Sequence, residues 1–303
     1  MAKRKTRGLY HGYLIIDKPA GWTSHDVVGK VRRLTGERRV GHAGTLDPAA
    51  VGVLPVAVGL ATRTVEYLSD ASKAYVADVT FGVMTDSADI DGTVTSVQDP
   101  SSLTEEDIRE ALRYFEGAKS QVPPMHSAIR VDGERLYERA RRGETIEVVA
   151  RPITIHEIRL EGWDPESATA CIYVHCSKGT YIRSLARDIG ERVGTGAYMS
   201  NLVRVSTGPF SIADAVTIDE LESLMEVEPW ESIAYHPDTV LQEWPALVLD
   251  DEHATAWKQG KPIDLDGSVE RARVYDARGN WLGLGFGDKD AGVIRPAKVV
   301  TEE

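Results

Sequence analysis

The chain has 303 residues, 42% hydrophobic and 27% charged, with a formal net charge of −12. This composition suits a folded chain with an ample core and excludes a disordered or collagen-like one. No apolar run reaches the ~20 residues a membrane helix needs, and the basic stretch Met1 to Arg7 is not followed by the apolar segment of a secretory signal. A cytoplasmic protein without membrane contact is expected.

In chain order, Tyr13 to Asp17 reads as a short apolar strand, and Lys18-Pro19-Ala20-Gly21 turns the chain. Thr23 or Ser24 can cap a helix with Val27, Val31 and Leu34 at helical spacing and Asp26 in its first turn. The segment from Gly41 to Pro48 contains two glycines and a proline, which forbid a regular helix. Residues 51–58 are apolar enough to be buried, yet Pro55 argues against an uninterrupted central strand. Tyr75, Ala77, Val79 and Phe81 alternate on one face of the next strand, and Asp91-Gly92 turns it toward a second strand over 93–97. Thr104 caps a helix striped by Ile108, Leu112 and Phe115, which Pro123-Pro124 stops.

Residues 125–151 read as a protrusion: a short strand, an Asp132-Gly133 turn, an Arg-rich helix and Gly143. Strands at 153–160 and 169–176 precede a helix from Tyr181 to Val193, striped by Ile182, Leu185, Ile189 and Val193. A strand at Leu202 to Val205 and a helix near Ile218 to Met225 follow. From about Trp244 the texture changes to short strands punctuated by glycine, a small β-rich unit of about 60 residues. Strands and helices mix without regular βαβ alternation. The fold class is therefore α+β, with a mixed, largely antiparallel sheet flanked by helices.

The charge is unevenly spread. Residues 205–257 hold twelve acidic side chains and no Lys or Arg, whereas residues 1–40 hold ten Lys or Arg against Asp17, Asp26 and Glu37. Arg135, Arg139, Arg141 and Arg142 form a second basic cluster, with Glu138 among them. Either basic cluster can attract a polyanion or merely solvate a helix face, so charge alone leaves the question open. Cys171 and Cys176 lie on one predicted strand, roughly 17 Å apart at ~3.3 Å per residue, too far for a disulfide. Their spacing does not suit zinc either, and no metal or cofactor is expected.

Asp47 is the first candidate for chemistry. An Asp-Pro pair commonly starts a turn, and on loop character alone that reading has the better claim. Against it, Gly41, His42, Gly44 and Thr45 crowd the same loop, and its backbone donors stand open to whatever binds there.

The run from Gly41 to Pro55, GHAGTLDPAAVGVLP, closely resembles the signature of the TruB family of tRNA pseudouridine synthases, with Val51 where the family typically has Thr. Residues 14–24, 72–75, 123–128, 177–183 and 202–204 resemble further family segments in the expected order, so the resemblance covers nearly the whole chain. It implies a catalytic domain over 9–245, with 125–151 as the family's thumb closing over an RNA stem-loop. It also implies a PUA-like RNA-binding β-barrel over 246–303, marked by Gly283, Gly285, Arg295 and Pro296.

The activity implied is isomerisation of a uridine at position 55, in the T loop of tRNA, to pseudouridine without any cofactor. By that likeness Asp47 is the nucleophile, Arg183 the cation that keeps it ionised and Tyr75 the aromatic partner of a flipped-out base. Taken alone, Arg183 reads as a first-turn residue about 100° from Ile182 and so off the apolar stripe. Tyr75 equally reads as core. His42 can fill the gap left by the base or simply bond its own loop. Lys18 and Pro19 would shape the cleft, with Gly44 and Thr45 in its loop. Tyr181 and Leu202 would wall the uracil pocket, and Lys178 can reach a phosphate or be a solvated turn residue.

Two other classes stand beside the enzyme: a tRNA-binding or folding chaperone, which an intact Asp47 does not exclude, and a hydrolase with an aspartyl intermediate, for which no partner acid, base or metal is visible. A guide-RNA-dependent relative shares the Asp47 motif, but the 125–151 insertion resembles the stand-alone bacterial type. The partner is expected to be the T-arm stem-loop of tRNA, met by a monomer that needs no protein partner.

Overall fold

The computed structural model describes residues 11–300 apart from 126, 128, 132, 137–138, 140–141, 143, 145, 147 and 265–268. The basic Met1 to Arg7 segment, Asp132, Glu138, Arg141 and Gly143 of the sequence reading lie outside the described residues, as does the side chain of Arg135. The helices are α1 (Ser24–Thr35), α2 (Val65–Ser69), α3 (Glu105–Phe115), α4 (Ile182–Val193), α5 (Ile218–Val227) and α6 (Asp251–Lys258). The strands are β1 (Gly12–Lys18), β2 (Val40–His42), β3 (Val51–Val58), β4 (Lys73–Phe81), β5 (Val83–Thr85), β6 (Val94–Val97), β7 (Gly117–Gln121), β8 (Arg130–Val131), β9 (Glu134–Arg135), β10 (Arg151–Asp164), β11 (Thr169–Cys176), β12 (Ala197–Thr207), β13 (Phe210–Ser211), β14 (Ala246–Leu249), β15 (Ile263–Asp264), β16 (Arg271–Asp276), β17 (Trp281–Asp288) and β18 (Val293–Val299).

Reciprocal capping starts the helices where the sequence places them. The Thr23 hydroxyl accepts from the Asp26 amide while the Asp26 carboxylate accepts from the Thr23 amide, and Gly36 closes α1 in the left-handed region. Thr104 with Asp107 and Thr217 with Glu220 repeat the device at α3 and α5.

The large sheet has nine strands, with the path β1-β3-β12-β4-β11-β10-β7; β2 joins at β3 and β13 at β12. Every pairing is antiparallel except β3 with β12, where Val51 and Gly52 face Val203 and Arg204. A Cβ at Gly52 would lie 2.3 Å from the Arg204 carbonyl oxygen, and its φ is +99°, so this seam requires glycine. The alternation of β4 holds. Tyr75, Ala77, Val79 and Phe81 face the main core, where Ile108 and Leu112 of α3 and Ile182, Leu185 and Ile189 of α4 cover them. Each fully buried aliphatic side chain contributes about 1.5–3 kcal/mol, an upper bound set by the extended-chain reference. A second core lies on the opposite side, where Val27 and Val31 of α1 and Leu221 of α5 pack on Leu14, Ile16, Leu54 and Val56.

Two local expectations are corrected. β3 runs unbroken through Pro55. Pro55 faces Ile15, whose carbonyl is taken by Val216 from the other side, so this position of the ladder needs no proline N–H. The helix ending at Phe115 is followed by β7 before the prolines, because Gly117, at φ +88°, reverses the chain. The smaller sheet, β14-β16-β17-β18-β15, curls as a half-barrel around Trp257 of α6, a helix the glycine-rich texture had hidden. Both cysteines are free, as the strand spacing requires.

Candidate active site

The loop from Ala43 to Ala50 joins β2 to β3 and is held from three sides. Ser24, at the start of α1, accepts from the Leu46 amide at 2.9 Å and donates back to the Leu46 carbonyl at 3.1 Å. The Pro48 carbonyl accepts from the Gly21 amide at 2.8 Å and from Lys18 Nζ at 3.1 Å. From the sheet, Arg204 donates to the carbonyls of Val53 (2.7 Å), Gly44 (3.1 Å) and Thr45 (3.4 Å). Gly44 adopts φ +85°, which lets its carbonyl turn toward this guanidinium.

Asp47 projects from the pinned loop. Its Oδ2 lies 3.1 Å from Nε of Arg183, whose side chain is only 8% exposed. The same guanidinium reaches Asp89 with Nη1 at 3.1 Å. Asp89 comes from the turn between β5 and β6, where Ser87 and the Asp91 amide donate to its other oxygen. One buried cation therefore joins two carboxylates from distant elements. The Asp47 side chain stays 46% exposed, in a cleft accessible to solvent yet lined by protein. Loss of hydration there pushes its carboxyl pKa up; Arg183 and Lys18 pull it down, while Asp89 and Asp91 push it further up. The net direction is upward, toward the protonated form, and Arg183 is the largest influence that opposes it.

Three more cations surround the loop. Lys18, Lys73 and Arg204 are buried and donate to backbone carbonyls. Lys18 also bonds the Pro19 carbonyl at 2.9 Å, while the Pro19 ring stays exposed. Burial lowers the Lys73 pKa to about 8, and the neighbouring Arg204 adds to that. The same burial lowers Arg204, which a hydrogen bond with the Tyr75 hydroxyl offsets in part.

The structure brings most of the predicted residues together. Tyr75 and Leu202 share a core cluster with Leu46 and Ala50, the neighbours of Asp47. Tyr75 is 7% exposed, so little of it is open to a base in this structure. Tyr181 caps α4 beside Arg183, its backbone bracketed by Gln121 at 2.8 and 3.0 Å. His42 ends β2, with its ring 5.8 Å from that of His25; burial, His25 and Arg204 all lower its pKa. Thr45 is exposed at the rim. Lys178 is set apart: it is exposed, and its ammonium pairs with Asp70 at 2.8 Å.

Asp89, Ser24, Lys73 and Arg204 escaped sequence reasoning as site residues. Lys73 and Arg204 lie inside motif segments, so a signal existed for them, whereas Asp89 offered only a polar turn. Among the described residues, no cluster of His, Cys, Asp and Glu could hold a metal ion.

Solved structures share this fold along the whole chain. One chain of a Cbf5-Nop10-Gar1 complex superposes with a TM-score of 0.69 at 25% identity, covering 96% of this chain and 84% of that one. A chain of an H/ACA RNP bound to a substrate RNA containing 2′-deoxyuridine gives 0.70 at 23%, covering 96% and 85%. The fold class is thus that of the Cbf5-like pseudouridine synthases.

Family models narrow the class. The N-terminal domain of TruB family pseudouridylate synthase matches residues 32–182, the tRNA pseudouridylate synthase B C-terminal domain matches 183–242, and the C-terminal model of pseudouridine synthase II TruB matches 245–300. The tRNA pseudouridine synthase B of Trichormus variabilis is 41% identical over 290 residues, covering 95% of this chain and 98% of its own. That of Saccharophagus degradans is 39% identical over 314 residues, covering 100% of both. The chain belongs to the TruB family.

Proposed function

We propose that this chain isomerises a uridine of tRNA to pseudouridine, at position 55 in the T loop. Family membership supports the reaction, and the pair formed by Asp47 and Arg183 carries the assignment of residues. An accessible carboxylate, held 3.1 Å from a buried guanidinium that Asp89 orients, suits attack on a nucleotide brought into the cleft. In the reaction the N1–C1′ bond breaks, the base turns and a C5–C1′ bond forms. The proton on C5 leaves and N1 gains one, so atoms and electrons balance without redox chemistry.

In this reading Asp47 is the nucleophile and Arg183 maintains its charge. Tyr75 stacks on the base, Tyr181 and Leu202 wall the pocket, and His42 enters the space the base vacates. Lys18, Pro19, Gly44 and Thr45 shape the loop, and Lys178 reaches a phosphate after release from Asp70. Residues 9–245 act as the catalytic unit, with 125–151 as a thumb, and 246–303 as an RNA-binding unit. The enzyme works as a cytoplasmic monomer; no helix among the described residues is long and apolar enough to cross a membrane.

The test is incubation of the purified chain with unmodified tRNA and no added cofactor, followed by mapping of pseudouridine by position. Conversion confined to position 55 is expected. Absence of pseudouridine, or its appearance elsewhere in the tRNA, would overturn the reading.

A further inference from the structure

Two basic regions of the sequence differ in what their arginines touch. In the protrusion, Arg139 and Arg142 bind Glu134 at 3.1 and 3.0 Å, and Arg142 also binds Glu144 at 2.7 Å. Their charge is largely answered by their own segment. Around α1, the side chains of Arg33, Arg38 and Arg39 are exposed and have no hydrogen-bonded or ionic partner among the described residues. Arg32 donates to the Val40 carbonyl at 3.3 Å, and Lys30 pairs with Glu222.

One of them, Arg33, lines a groove. Gly21, Trp22, His25, Asp26, Gly29 and Arg33 line it, and its volume of about 540 Å³ is within the range of a nucleotide-sized ligand. His25, Asp26, Gly29 and Arg33 share the face of α1 opposite the buried Val27 and Val31, and Gly21 and Trp22 precede the helix. The groove adjoins the active-site loop: Gly21 donates to the carbonyl of Pro48, next to Asp47, and His25 lies against His42. Asp26 is its one carboxylate, and the Thr23 amide and hydroxyl both donate to it.

Gly29 has no structural reason to be glycine. It sits mid-helix, where only proline is a worse helix former. It lacks a positive φ, and a Cβ built there meets nothing within 4 Å. A side chain at this position would enter the groove and nothing else. The glycine therefore keeps open a space that the folded chain itself leaves empty.

We propose that this groove is a phosphodiester track. A strand of the RNA leaving the cleft passes over Gly29, with Trp22 beside it and Arg33, Arg38 and Arg39 against its phosphates. This deepens the proposed function and rests on its reading of the substrate as RNA.

The experiment measures binding of a T-arm hairpin by fluorescence anisotropy across a salt series, and single-turnover pseudouridine formation at saturating hairpin. For an Arg33→Gln, Arg38→Gln double variant, affinity at 0.1 M salt is expected to fall about tenfold. The slope of log K against log salt should shrink by about 1.5, the loss of two phosphate contacts. The saturating rate should stay as in wild type. Gly29→Gln should melt no lower than wild type yet bind about tenfold more weakly, a result that mere damage to the helix cannot produce. Arg109→Gln with Arg113→Gln on α3, whose guanidiniums pair with Glu105 and Glu106, should leave both readouts unchanged. Wild-type affinity and salt slope in both the double arginine variant and Gly29→Gln would overturn the track. Failure of the wild-type chain to form pseudouridine would overturn the proposed reaction instead, and the binding comparison would still decide the track.

Discussion

Asp47 and Asp238 both bond an arginine, yet their carboxyl pKa values shift in opposite directions. Asp47 shares Arg183 with Asp89, keeps half its surface open, and has its pKa raised. Asp238 lies in the short 3-10 helix Pro237–Leu241 and reaches across to the smaller sheet. Arg273 on β16 donates to it at 3.0 Å, and Tyr275 and His236 bond it as well. Burial pushes Asp238 up, but the bonds from His236, Tyr275 and Arg273 outweigh it and bring the carboxyl to about 2. Around it, Leu241, Trp244, Trp281 and Leu284 close an apolar seam between the two sheets, with Tyr67 packed against the Trp244 ring. A carboxylate whose acceptors are filled is held by the fold; one left accessible, with a shared cation, still has an oxygen open to a ligand.

The sharpest way to break this contrast is Asp47→Asn. Turnover of a T-arm hairpin should fall on the order of 10⁴-fold or more, with affinity little changed. Normal turnover would remove Asp47 from the mechanism. Arg183→Met should lower turnover about 10²–10³-fold. Because Arg183 holds the Asp47 pKa down, the acid limb of the residual activity should move to higher pH. A fall in affinity alone would make Arg183 a phosphate contact.

Arg204→Met leaves the Gly44 and Val53 carbonyls without their donor and should cost about 2–4 kcal/mol in urea unfolding. Wild-type stability would show that the loop does not depend on this tether.

The smallest effect belongs to the junction. Asp238→Asn should cost about 2–3 kcal/mol, since Arg273 retains some solvent, and should leave turnover intact. A depressed carboxylate contributes stability above the ordinary Asp range and loses it as pH falls through the folded value. The wild-type advantage over the variant should therefore shrink from about pH 4 toward about pH 2. A difference independent of pH would mean that packing, not charge, holds the junction.

Local signals were read well where the cause is local. A cap acts over three residues, and alternation along β4 follows from the period of two, so Thr23, Thr104 and the Tyr75 face were all legible. Pro55 misled because the cost of a missing N–H depends on which way its partner faces, and Ile15 faces Val216. The α6 helix was hidden by glycines that belong to the neighbouring strands.

The Asp47 motif and the order of segments determined the family and nominated the carboxylate and its cation. Tertiary structure alone decided that Asp89 shares Arg183, that Arg204 is buried beneath the loop, and that the Arg33, Arg38 and Arg39 side chains stand free while described ones of the protrusion are paired. The reason is physical. Helix and strand patterns are properties of neighbouring residues, whereas desolvation and charge pairing depend on residues that only the folded sheet brings within 4 Å.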